Sequence, residues 1–386
     1  MNIIQYARKN GIYDFSEHEF NVVDSLVLSQ LVYLKFDRVV KGPSEDGEDI
    51  CIRDLVLHEN RDSLFRDERY ADINTDFFEA VAGSKRFGNL KLNNFIDIID
   101  TTLDIQFSAM TVTGDNDFAY VVFRGTDDSV VGWKEDLCMT FKTPVPGQKY
   151  SVDYLERVAG KIEENFYVGG HSKGGNLAVY SSMNCEKSVR NRIRHIYSHD
   201  GPGFRTELLH GSCYEEIKDR ITKLVPKSAV VGLFGNVEKY EVVDCEKMGV
   251  KQHNPYNWIV SGFDFKRAKS IGKYSSFQAD AISMWAAEMD DEKWMTLTDW
   301  LFGLFDTVGI TNLNDLNENR WEILTKLREA LSNTDDKYKE EIKQIINLFT
   351  DAAIRTAKEE AIGGTLKKEK PGKVKTKRQK TEKNKE

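Results

Sequence analysis

A chain of 386 residues with 40 % hydrophobic side chains and 11 % aromatics can bury a sizeable core, which excludes an intrinsically disordered protein. The formal charge of −8 conceals a division: Lys367 to Glu386 holds ten Lys/Arg and three Glu, leaving 44 basic against 59 acidic residues before it. An acidic body is a poor match for a phosphate backbone, so no nucleic-acid partner is expected.

The start, MNIIQYARKNGIYDF, lacks an apolar run ending in a cleavage site, and no long window is apolar throughout, so a cytoplasmic protein is expected. FNVVDSLVLSQLVYLK (20–35) places Val22, Leu26, Leu28, Leu31 and Leu34 at roughly helical intervals and predicts a packed helix. Beyond Phe107, short β-like runs alternate with helical ones. FSAMTV (107–112) and FAYVVF (118–123), joined by TGDND, predict an antiparallel hairpin. NFYVG (165–169), RHIYS (194–198), ITKLV (221–225) and KYEVV (239–243) predict strands. SVDYLERVAGKIEE (151–164), GGNLAVYSSMNC (174–185) and a stretch after Pro202 predict the helices between them, hence a doubly wound α/β sheet. From about residue 270 the pattern turns amphipathic and helical, including NRWEILTKLREALSN and on to Ala357. The expected organisation is a helical or irregular segment over 1–106, an α/β core over 107–265, a helical region over 266–358 and a disordered basic tail over 359–386. Five scattered cysteines without C-x-x-C spacing suggest neither a disulfide framework nor a zinc site.

The stretch FYVGGHSKGGNLAVY (166–180) joins a strand to a helix through glycines. A phosphate loop would need Lys and Ser/Thr after its last glycine, and a dinucleotide fingerprint would need other glycine offsets. Gly170, His171, Ser172, Lys173 and Gly174 instead match G-x-S-x-G. There the glycines let strand and helix approach closely, and the serine hydroxyl projects at a helix N-terminus.

A serine nucleophile needs a base and an acid later in the chain. Of His18, His58, His171, His195, His199, His210 and His253, only His253 lies in a loop beyond the last strand. His195 falls within a strand and His210 on the helix expected after Pro202. Asp200 ends the strand HIYSHDGPGF on the serine's side of the sheet, and Asp244, ending KYEVV, is the alternative acid.

Two blocks give the chain a resemblance to the class 3 lipases: VVFRGTDDSVVGWKEDL (121–137) and GGHSKGGNLA (169–178). It also resembles a bacterial family of lipase-like proteins in which both blocks and Q-H-x-x-x-x-W recur. The resemblance implies an α/β-hydrolase-type, mostly parallel sheet with helices on both faces, and Ser172 as nucleophile. It further implies an oxyanion hole formed with Thr126 and the backbone N–H of Lys173. The lipase acid usually begins D-x-V-x-x-L; here the stretch is SAVVGL, with Ser228 in the acid's place. Some other lipases carry the acid at the end of the preceding strand, where Asp200 stands. The departure leaves a migrated acid or a degraded triad, so a non-catalytic scaffold is the alternative to an esterase or lipase.

Arg124 of FRGT is expected to pair with a carboxylate. GLFG (232–235) flanks a prospective acyl pocket. Asp127, Asp128, Glu135 and Asp136 cluster without histidine, so no metal site is assigned, and the expected chemistry needs no cofactor. WMTLTDWLFGLFDTVGI (294–310) reads as a packed helix or dimer contact ahead of a lid, while it and the tail admit contact with a membrane surface. The substrate class is a lipid or small-molecule ester, with the oligomeric state open.

Overall fold

The computed structural model describes residues 1–309 except 46–47, 67–70, 128, 140–141, 230, 238, 273–275, 278–280, 282–284 and 286–287, with isolated positions between 325 and 347. Asp128, the tail over 359–386 and most of the helical pattern expected over 319–357 lie outside the described residues.

Helices α1 (Ile3–Lys9) and α2 (Val22–Leu31) open the chain. Asn21 caps α2 by accepting from the Val23 and Asp24 N–H groups, and nine of the ten helix residues are buried. Strand β1 (Ile50–Cys51) and helices α3 (Ala71–Ala82) and α4 (Lys85–Gly88) follow. Then come β2 (Lys91–Asp100), β3 (Ile105–Gly114), β4 (Phe118–Phe123), α5 (Val130–Cys138) and α6 (Pro146–Ala159). The last labelled elements are β5 (Phe166–His171), α7 (Lys173–Asn184), β6 (Ile193–His199), β7 (Ile221–Pro226) and β8 (Glu241–Val243).

These strands form one eight-stranded sheet in the sequential order β1 to β8. The pairs from β1 to β4 are antiparallel and those from β4 to β8 parallel, an α/β-hydrolase-type arrangement. Two expectations are corrected. The sheet begins before residue 107, because β1 and β2 extend it on the hairpin side. The strand order never reverses, so right-handed crossovers fall on one face and the sheet is not doubly wound. Boundaries also move: α6 starts at Pro146, and the helix after Pro202 is two single turns, Thr206–Leu209 and Ser212–Glu215.

Strand β4 shows what covers each face. Ala119, Val121 and Phe123 join a core with Leu155 of α6 and Leu177 of α7. Tyr120 and Val122 point the other way, into a core with Leu26, Val27 and Leu31 of α2 and Phe87 of α4. The N-terminal segment thus takes the place a second layer of crossover helices would fill. It is pinned by a fully buried ion pair, Arg86 Nη2 to Asp24 Oδ2 at 2.5 Å, while Tyr6 also donates to Asp24 at 2.8 Å. Arg124 is held by Asp97 of β2 through two bonds of 2.7 and 2.8 Å. The C-terminal helix Asp291–Val308 packs Trp294 into a small cluster with Met289, Leu137, Cys138 and Phe234. Among the described residues no helix is long and apolar enough to cross a membrane.

Candidate active site

The carboxyl ends of β5, β6 and β8 converge, and each is followed by one of the residues singled out by the sequence. Ser172 stands between β5 and α7 at φ 58°, ψ −132°, a strained conformation for a residue with a Cβ. Its N–H donates to the His199 carbonyl at 2.9 Å, continuing the β5–β6 pairing into the turn. The glycines leave room for the turn: a Cβ on Gly174 would stand 2.1 Å from the Phe123 carbonyl oxygen, and one on Gly170 2.4 Å from Gly174.

His253 ends a 3-10 turn, Gly249–His253, after β8, and its Nε2 lies 3.0 Å from Ser172 Oγ. Its Nδ1 lies 2.6 Å from Asp200 Oδ2. Asp200 is 1 % exposed, and its other oxygen accepts from the Gly232 N–H at 3.1 Å. Because a carboxylate faces Nδ1, that nitrogen carries the proton and Nε2 is free to accept from Ser172. Asp244 turns away to a surface pair with Lys266 at 2.9 Å. Ser228 helps to hold the turn that carries His253, its N–H donating to Gln252 Oε1 at 2.6 Å. The other histidines are engaged elsewhere: His195 bonds Thr222, His199 bonds Ser25, and His18 stacks on Phe263. His210 caps the short Thr206–Leu209 turn and is not carried on a longer helix.

Several supporting residues escape sequence reasoning. His171 Nε2 donates to the His253 carbonyl at 2.9 Å, and Tyr33 donates to His171 Nδ1 at 3.2 Å. Burial holds the His171 imidazole well below its ordinary range, so it is neutral, as this donor–acceptor pairing requires. Trp258 Nε1 donates to the Gln252 carbonyl at 2.8 Å, and the Gln252 amide to the Lys247 carbonyl at 2.6 Å. The Q-H-x-x-x-x-W spacing is therefore a readable sign of how the His253 turn is held. Behind Asp200, buried Lys223 donates to the Gly201 carbonyl at 2.5 Å; burial pushes its amine down to about 7, partly offset by Asp200.

The FRGT loop abuts Ser172, since a Cβ on Gly125 would lie 3.0 Å from Ser172 Cβ. Thr126 Oγ1 donates to Asp136 of α5. Burial pushes the Asp136 carboxyl up to about 6, against the pull of the Lys173 ammonium. The Lys173 side chain runs away from the cleft to Glu135. The first N–H groups of a helix have no partner within it, which leaves those of α7 to face negative charge at the serine. Among the described residues no group of three or more His, Cys, Asp or Glu side chains is placed to hold a metal.

Residues 81–303 match the family described as Mbeg1-like, more than half of the chain. The chain belongs to the Mbeg1-like family. The Mbeg1-like match spans the elbow, the FRGT loop, Asp200, His253 and most of the C-terminal helix. Solved structures similar to this Mbeg1-like chain include the Rhizomucor miehei lipase propeptide complex, at 19 % identity and TM-score 0.32, covering 41 % of this chain and 58 % of that one. The chain thus spans little more than half the length of that lipase chain. A fungal lipase–inhibitor complex matches at 16 % identity and TM-score 0.35, over 57 % of this chain and 77 % of that one. The M37 lipase matches at 12 % identity and TM-score 0.35, over 55 % and 68 %. No curated protein sequence matches.

Proposed function

We propose that the chain is a serine hydrolase that cleaves carboxylic esters of acyl or lipid type in the cytoplasm. The observation that carries this reading is the line Ser172 Oγ, His253 Nε2 at 3.0 Å, His253 Nδ1, Asp200 Oδ2 at 2.6 Å. Ser172 Oγ attacks the ester carbonyl while His253 Nε2 takes its proton, and Asp200 stabilises the imidazolium that forms. The negative charge on the tetrahedral oxygen is met by the N–H groups of Lys173 and Thr126. His253 returns the proton to the leaving alkoxide, and water then releases the acyl group from Ser172 by the same steps.

Phe234, two residues beyond the Gly232 that braces Asp200, belongs to one apolar cluster with Leu137 of α5 and Leu297, which supports an acyl substrate. The scaffold alternative drew on Ser228 standing where an acid was expected; the 2.6 Å contact between His253 and Asp200 favours the enzyme.

A fluorophosphonate probe is expected to label the wild-type chain and to leave Ser172→Ala unlabelled. Equal labelling of the two, or no labelling of folded wild type, sinks the assignment.

A further inference from the structure

One charged pair beside the nucleophile takes no part in the chemistry above. The Lys173 and Glu135 side chains are each 1 % exposed, with Nζ and Oε2 2.9 Å apart. All three ammonium protons have acceptors, the other two being Gln106 Oε1 at 2.6 Å and the Gln106 carbonyl at 2.7 Å. The carboxylate is equally committed: Oε1 accepts from the Gly147 N–H at 2.5 Å and Oε2 also from the Gln106 N–H at 3.3 Å. Gln106 lies at the start of β3, Gly147 at the start of α6 and Glu135 on α5. One buried pair therefore ties three elements to the first residue of α7.

Stability alone explains this arrangement poorly, because a well-packed apolar pair of similar volume is often as stable as a buried ion pair. Position explains it better. The Lys173 side chain leaves the same Cα as the N–H that faces the developing oxyanion, and the preceding residue is strained at φ 58°. The neighbour of Glu135 on α5 is Asp136, which accepts from Thr126 Oγ1. Two successive residues of α5 thus hold the two residues proposed as oxyanion donors.

We infer that Glu135 and Lys173 form a positioning pair for the oxyanion hole: through α5, the pair sets the direction of the Lys173 amide and its register against Thr126. This rests on the ester-hydrolase reading. The pair does not touch the reacting atoms, so its loss acts on turnover and leaves substrate affinity nearly unchanged.

The test uses the full chain with Glu135→Gln, Lys173→Met and the double variant Lys173→Met/Glu135→Leu. Steady-state kinetics on p-nitrophenyl butyrate, thermal melting and crystal structures are measured for each. The double variant removes both charges and keeps the volume, but it is expected to melt below wild type, because the buried Gly147 and Gln106 N–H groups lose their acceptor. Its kcat should fall about 10- to 100-fold while KM stays within about threefold. A folded double variant that keeps wild-type kcat overturns the inference whatever its melting temperature, because the pair would then matter for stability alone. If a single variant fails to fold, the double variant still decides. If the wild type shows no turnover, the ester-hydrolase reading fails separately. The crystal structures then decide the positioning: a residue-173 amide displaced by more than about 0.5 Å supports it, and an unmoved amide overturns it.

Discussion

Replacing Asp200 by Asn keeps the shape of the side chain and changes what His253 meets. Asp200 Oδ1 accepts from the Gly232 N–H at 3.1 Å, and Oδ2 faces His253 Nδ1 at 2.6 Å. An asparagine has one oxygen and one NH2 group for these two places. The Gly232 N–H can be satisfied only by the oxygen, which turns the NH2 toward the imidazole. His253 Nδ1 must then accept, the ring proton moves to Nε2, and that nitrogen can no longer take the proton of Ser172. A triad held in the wrong tautomer loses about 10⁴-fold in kcat, or about 5 kcal/mol of transition-state stabilisation. The assay is kcat/KM on a short-chain p-nitrophenyl ester, with folding checked by circular dichroism. Asp244→Asn is the control; its pair with Lys266 is partly exposed, so activity within about twofold of wild type is expected. The reasoning is refuted if Asp200→Asn keeps more than about a tenth of wild-type activity.

Three further outcomes follow from the supports of the site. Tyr33→Phe leaves His171 Nδ1 without its donor and should lower stability by about 1–3 kcal/mol in urea unfolding, with kcat falling alongside. Trp258→Phe removes the indole bond to the Gln252 carbonyl, at an expected cost of about 1–2 kcal/mol, read by thermal melting. Asp136 holds its proton up to about 6 in the folded chain, whereas an unfolded aspartate releases it near about 4. The native state therefore binds more protons across that window, and its stability falls as pH rises through it. Asp136→Asn should gain stability relative to wild type between about pH 4 and 6, and urea unfolding showing the opposite slope would contradict the burial argument.

The sequence carried the local geometry of the site well and the global path of the chain less well. G-x-S-x-G between a strand and a helix has a steric cause, the near contact of Gly170, Gly174 and the Phe123 carbonyl, so the motif could be read directly. His253 was reachable because a base on the loop after the last strand is a consequence of topology. Strand β2 went unread because its alternation breaks: the register shifts between Asn93 and Ile96, and Asn94 has φ 53°. Strand order was unreadable for a different reason, since crossover length is the same whether the winding reverses or not. Lys173 was legible only through its backbone. That its side chain is buried against Glu135, 38 positions earlier, depends on a contact no local pattern announces. The Tyr33–His171 bond spans 138 positions and is invisible for the same reason.

Helix α2 has a consequence for the order in which the protein can be made. Nine of its ten residues are buried, Asp24, Ser25, Ser29 and Gln30 among them, so its apolar and polar groups alike wait for partners. Its partners come much later in synthesis: Ser25 bonds Tyr120, 95 positions on, and His199, 174 positions on. A ribosome delivers this helix before the strands that shelter it, so folding must pass through loop closures of high sequence separation. During that interval α2 is open to misassociation. Chaperone demand and yield on rapid overexpression should therefore respond to polar substitutions in α2 before they respond to changes anywhere near Ser172.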